Sequence, residues 1–336
     1  MKRVYIALLL LSLFLLASCS QGPDTDAEQR GIFGSKENRV SADVSAFLGG
    51  TEALTFTYTE GNPPKEIFTG SGEYADAFDV ELMLENMGEA FVSAEEIDVT
   101  LEGIDPSEFG KTVADFKIHP ENELNPRVKD PATGKEIPSV PTYAKFEGLV
   151  REEHVVGNIN LPLRTVVKYP YATKVVTDIC VRANLRSTEE GVCNPQGVRT
   201  VQNSGAPVMA TSFEQSVIGP KRMSLLLKIQ HKGSEGIYAS VGEFNNDRDR
   251  ENKVWVEIDA GNLEGLNCIG LRNGVANEKS EIHNGFVELR KNEAIVGCEL
   301  ETGEADFVKG VNIDLLYGVK DILETSLSVK RGDLFG

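Results

Sequence analysis

The residues with the best claim to chemistry in this chain form one polar run, Asn245-Asn246-Asp247-Arg248-Asp249-Arg250-Glu251. Oxygen donors at alternate positions (Asn245, Asp247, Asp249 and Glu251) imitate the opening of a calcium loop, which presents carboxylates to one hard cation. The sharp-turn glycine and distal glutamate of such a loop are missing, and Arg248 and Arg250 bring their own counter-charges. A solvated turn ahead of a strand Val254-Val256-Ile258 is the expectation. Calcium is its alternative, and no other cofactor is implied.

Other candidates are weaker. Gly110-Lys111-Thr112 after Gly103 suggests a phosphate loop, but six residues separate the glycines where that motif needs four, and no helix pattern follows. His119, His154, His231 and His283 are scattered over loop-like contexts. None is paired with a serine or cysteine in a nucleophile motif. Asp105 and Glu108 are close in sequence, yet with 52 acidic residues in the chain that closeness carries little. Trp255, the single tryptophan, falls on the face of its strand opposite Val254, Val256 and Ile258. It is expected to be covered by neighbouring structure, since a sugar platform usually needs several aromatics. No catalytic constellation emerges, and the expectation is a protein that is not an enzyme.

The elements that must position these residues are strands. Phe78, Val80, Leu82 and Leu84 alternate with Asp79, Glu81, Met83 and Glu85, and the run ends at Asn86-Met87-Gly88. The pattern returns 145 positions later, where Met223, Leu225, Leu227 and Ile229 lead to His231-Lys232-Gly233. Period-2 alternation places one set of side chains on a core face, and each glycine is expected to supply a positive φ for the turn that follows. A second match lies 148 residues apart: Tyr169, Thr177, Ile179 and Val181 against Tyr317, Thr325, Leu327 and Val329. Each stretch reads as a strand, a corner and a final strand, with the repeated tyrosine bonding upstream backbone.

Two units follow, at 38–200 and 206–332, each expected to own a core, with Asn203-Ser204-Gly205-Ala206-Pro207 as their joint. The first unit carries an insertion over 118–141. Its five prolines (Pro120, Pro126, Pro131, Pro138 and Pro141) argue against strand or helix.

Residues 1–18 read as an export signal: Lys2 and Arg3, an apolar run from Val4 to Leu16, then small residues. A run of about 13 residues is too short to span a bilayer core of ~30 Å. Leu16-Ala17-Ser18-Cys19 resembles the lipobox of prokaryotic lipoproteins. That resemblance implies diacylation of Cys19, which becomes the mature N-terminus and attaches the chain to the membrane or envelope outside the cytoplasm. Residues 19–37 then form a solvated tether. The formal net charge of −18 grows more negative once Lys2 and Arg3 are removed, which disfavours nucleic acid as a partner.

Four cysteines remain, and an even count in an exported chain reads as disulfides. The sequential pairing, Cys180–Cys193 and Cys268–Cys298, keeps each bridge inside one unit. Cys180, between inward Ile179 and Val181, is expected on the outer face. The cysteines are not at zinc-ligand spacing.

The phrase Phe78-x-Val80-x-Leu82-x-Leu84-Glu85-Asn86-x-Gly88 is similar to the strand-turn phrase of CARDB-type immunoglobulin-like modules of prokaryotic cell surfaces. The resemblance implies an all-β chain of two tandem immunoglobulin-like β-sandwiches. It also implies non-catalytic binding, adhesive or architectural work on a protein or glycan partner at the surface. A self-assembling surface-layer or filament subunit is the first alternative, and a solute-binding lipoprotein of a transporter the second.

Overall fold

The computed structural model describes residues 45–69, 75–151, 155–261, 263, 265–272 and 282–331. The signal segment, Cys19, the tether and His154 lie outside the described residues. The protein is all-β, with no α-helix among the described residues. Its first half contains β1 (Leu54–Tyr58), β2 (Glu66–Thr69), β3 (Ala77–Asn86), β4 (Asp98–Glu102), β5 (Lys117–Ile118), β6 (Val128–Lys129), β7 (Glu136–Ile137), β8 (Thr142–Val150) and β9 (Ile159–Val181). The second half follows with β10 (Gly197–Arg199), β11 (Gln202–Asn203), β12 (Val208–Val217), β13 (Arg222–His231), β14 (Gly236–Tyr238), β15 (Lys253–Asp259), β16 (Leu266–Ile269), β17 (Ile282–Glu288), β18 (Glu293–Glu301) and β19 (Phe307–Arg331).

The repeat seen in the sequence is a repeat of topology. One sheet runs β1-β3-β8, and another runs β10-β12-β13-β18-β16, so β12-β13-β18 repeats the first order. In β3, Val80, Leu82 and Leu84 are fully buried, while the alternate residues are partly exposed. Met223, Leu225, Leu227 and Ile229 do the same in β13. The two edges are finished differently. β16 continues the second sheet beyond β18, whereas β8 carries a bulge opposite Phe78 and Val80, with Gly148 at φ +61°. A bulge of this kind discourages a further strand from pairing at an edge.

The third sheet runs β17-β15-β19-β9-β4-β5, and it joins the halves. Neither β9 nor β19 turns the expected corner: each is one continuous strand, and they pair antiparallel from Ile159–Val329 to Val181–Phe307. Pro170 and Gly318, which look like breakers in sequence, face each other at the centre of this ladder. They are also each other's counterparts in the 148-residue repeat, so a local two-fold axis passes between them. The flanking strands obey it. β4 meets β9 at Arg164–Lys168, and β15 meets β19 at the corresponding Asn312–Leu316. Full-length pairing satisfies the backbone of both strands without a turn. The buried side chains of both halves form one hydrophobic cluster.

Two further expectations are overturned, those for the turn glycines and for the insertion, and that for Cys180 is extended. Gly88 and Gly233 are not among the residues with positive φ. What Gly88 provides is closeness, since a Cβ there would lie 2.6 Å from the Gly205 carbonyl and 2.8 Å from the Glu52 carbonyl. Cys180 lies on the strand face opposite Ile179 and Val181, outside the hydrophobic cluster that holds them, and pairs with Cys193 from there. That face is nonetheless buried, and Gln215 bonds both the Cys180 N–H and its carbonyl. The proline-rich insertion does contain strand. β6 and β7 form a two-rung hairpin whose turn is held by the Asp130 carboxylate, which accepts from Ala132 N and Thr133 Oγ1, and its prolines lie outside the ladder. The joint at 203–207 is pinned, with Ser204 N donating to the Lys174 carbonyl and Gly205 N to Glu89.

Candidate functional site

The tyrosines near the two-fold axis organise the centre of the protein. Tyr171 and Tyr317 face each other across the ladder with ring centroids 6.4 Å apart, and Tyr169 packs edge-on to Tyr171 at 6.0 Å. The repeated pair does bond upstream backbone, at long range. Leu54 N donates to the Tyr169 hydroxyl at 3.2 Å, and Val208 N to the Tyr317 hydroxyl at 3.4 Å. Leu54 and Val208 open the equivalent strands β1 and β12, so each tyrosine ties the last strand of its half to the one that begins the repeated sheet order. Thr173 Oγ1 completes the Tyr317 side, 3.0 Å from the phenol and 2.5 Å from the Val208 carbonyl. Burial raises all three phenols and keeps them protonated.

The turns after β3 and β13 close over this centre, and here the halves diverge. In the first, Asn86 is fully buried: its Oδ1 accepts from Tyr171 and from Gly88 N, and its Nδ2 donates to the Ala90 carbonyl at 2.7 Å. Glu89 accepts from Leu48 N, Gly49 N and Gly205 N at 2.6–2.9 Å, so its carboxylate is saturated. In the second, His231 replaces Asn86. Its buried Nε2 has no hydrogen-bond partner and lies 3.5 Å from Glu235 Oε1. A cleft of about 410 Å³ opens on this side, and Leu54, Tyr169, Lys232, Ser234, Glu235 and Asp321 are among the residues that line it. Burial works to raise the Glu235 carboxyl, but the His231 imidazole and neighbouring backbone N–H groups outweigh it and hold the group below its ordinary range. Asp321 moves the other way. Burial raises it, the Ile322 N–H opposes that at 2.7 Å, and the charge of Glu235 adds to the rise.

The residues singled out in sequence sit elsewhere, in structural roles. Cys180–Cys193 and Cys268–Cys298 are disulfides with Cα separations of 5.8 Å and 3.9 Å, and the second joins directly opposed residues of β16 and β18. Of the calcium candidates, Asp247 and Asp249 fall in a single 3₁₀ turn. Asn246 caps that turn by accepting from Asp249 N, and its amide donates to the Asp249 carboxylate at 3.0 Å. Asn245 and Glu251 flank the turn. Among the described residues, no three histidine, cysteine or carboxylate side chains gather as metal ligands.

His119 Nδ1 lies 2.9 Å from the Ile97 carbonyl, and burial lowers His283. Asp105 caps the 3₁₀ turn Pro106–Phe109, which Gly110 ends at φ +66°, and Glu108 pairs with buried Arg151. Trp255 is half-covered. Phe286 packs on it at 4.7 Å, and its indole N–H donates to Glu257 at 2.8 Å.

Sequence reasoning passed over Glu235 and Asp321. The one available signal was the change from asparagine to histidine where the repeat otherwise holds.

No family model matches this sequence, and no curated protein matches it. Among solved structures, the chain is weakly similar to the secreted serine protease VesC from Vibrio cholerae, with 8% identity over 81% of this chain and a TM-score of 0.16. The chain spans about half the length of that protein (51%), and the likeness carries no argument for fold or activity.

Proposed function

We propose that this protein is an extracytoplasmic lipoprotein, anchored through Cys19, whose duplicated immunoglobulin-like β-sandwiches act as a non-catalytic binding or adhesion module. The observation that carries the reading is the use to which its reactive side chains are put. Glu89, Asp105, Asp115 and Asp130 hold turns and backbone amides, and His119 lies against a carbonyl. The repeated strand order supports the tandem arrangement. Two disulfides fit an oxidising compartment outside the cytoplasm. No helix among the described residues is long and apolar enough to cross a membrane.

An exposed aliphatic face on the second half supports the partner-binding reading. Leu226 and Ile269 lie against Gly297, and Ile295 follows two residues earlier on the same face of β18. Ile269 and Ile295 are 67% and 62% exposed, and an aliphatic face of this kind suits a protein partner, which would remove it from water. Self-assembly through this face is the alternative reading.

The anchor is tested by Cys19→Ser. Two acyl chains hold a protein stably on a bilayer where one chain binds only marginally. The variant is therefore expected in the soluble fraction, while the parent stays with membranes through a high-salt wash. Retention of the variant with membranes would remove the lipid anchor from the account.

A further inference from the structure

The two-fold repeat supplies an internal control for the cleft beside Tyr169. At equivalent places the first half carries Asn86 and Thr173, and both are satisfied within the chain. The second half carries His231 and Asp321. Nothing in the repeat's packing demands this substitution, since the uncharged pair does the structural work in the other half. The result is an acidic recess, where Glu235 and Asp321 lie close enough for the charge of one to act on the other. His231, 9% exposed, faces Glu235 with its Nε2 at 3.5 Å and makes no well-formed hydrogen bond there.

Lys232 also lines the cleft, but its ammonium turns to Gln230 Oε1 and acts on Glu293. Glu235 has only the His231 imidazole beside it, and among the described residues no lysine or arginine pairs with either carboxylate. Such a half-buried pair favours a cationic, donor-rich ligand, because hydrogen bonds to charged groups are the stronger ones in partly desolvated sites. The ligating side chains do not converge as a metal site would require. The cleft volume is within the range of small-ligand sites.

We propose that this cleft binds an alkylguanidinium or alkylammonium group, with Glu235 and Asp321 as its acceptors. The ligand class rests on the reading of the protein as a binding module. Two sources share that chemistry: a free amine, or the arginine or lysine side chain of a partner polypeptide.

Calorimetric titration of the full-length protein with agmatine and with a capped Gly-Arg-Gly peptide tests this. Saturable binding is expected, weakened roughly tenfold or more by Glu235→Gln and by Asp321→Thr. Glu299→Gln, which changes an exposed partner of Arg222, should leave it unchanged. Asp321→Thr installs the residue the first half already uses, so it keeps the test valid if Glu235→Gln fails to fold. Tighter binding of agmatine identifies a free amine as the source, and tighter binding of the peptide identifies a side chain. No saturable binding of either probe, or equal binding by the parent and both variants, overturns the proposal. A protein that binds agmatine in this variant-sensitive way, yet contacts no partner in its envelope, loses the adhesion reading and keeps the site. The converse loses the site alone.

Discussion

Tyr317→Ala is expected to destabilise the entire region from residue 45 to 331, by about 5 kcal/mol. Truncating a buried aromatic ring costs about 3–5 kcal/mol through lost burial and the cavity left behind. Tyr317 is fully buried, opposite Tyr171 at the middle of the ladder that joins the halves. Its loss also takes the hydroxyl from Val208 N, and a buried group left unsatisfied adds about 1–3 kcal/mol, whereas Thr173 keeps its bond to the Val208 carbonyl. A domain's margin is only ~5–15 kcal/mol. Tyr317→Phe keeps the ring and should cost about 1–2 kcal/mol. Urea unfolding followed by far-ultraviolet dichroism and by tyrosine fluorescence would check both values. Because β9 and β19 share their ladder along its whole length, both probes should report one midpoint for the alanine variant. Separate transitions, with only the second half affected, would show that the shared sheet does not couple the halves.

Gly88→Ala is expected to cost about 3 kcal/mol, and Gly233→Ala less than 1 kcal/mol, although the two glycines occupy the same place in the repeat. At Gly88 the new methyl meets two backbone carbonyls, Gly205 and Glu52, together with the Tyr171 hydroxyl, and none of these can withdraw cheaply. At Gly233 the neighbour is the carboxylate end of Glu235, which can rotate away. Midpoints from thermal melts of the two variants provide the comparison. Equal, small shifts would mean that the close approach at Gly88 relaxes easily. The milder variant has a second use, since displacing Glu235 should weaken the cleft's hold on agmatine without unfolding the chain.

What the sequence made legible was local. The alternation in Phe78–Leu84 and Met223–Ile229 marks half-buried strands whatever their partners are, and sequential disulfides are the short-loop solution for four cysteines. The β9–β19 pairing was hidden because period-2 patterning identifies a strand and its buried face without naming its neighbour. Pro170 and Gly318 add to the concealment. Both residue types normally break strands, and only the register shows that they meet at a two-fold axis. The cleft was hidden by distance in sequence: Glu235 and Asp321 are unremarkable members of an acidic chain until β13 and β19 bring them to one wall. Only His231, the departure from asparagine in an otherwise kept phrase, marked the place.

The binding reading is tested most directly by photo-crosslinking in intact envelopes. A photoreactive residue replaces Ile295 on the apolar face, and in a parallel variant replaces Val128 on the insertion hairpin, also exposed at 43%. The account predicts a discrete adduct with a surface protein from position 295, absent from position 128 and reduced when Leu226→Lys is added. No adduct from position 295, or adducts only with other copies of the same chain, would contradict it.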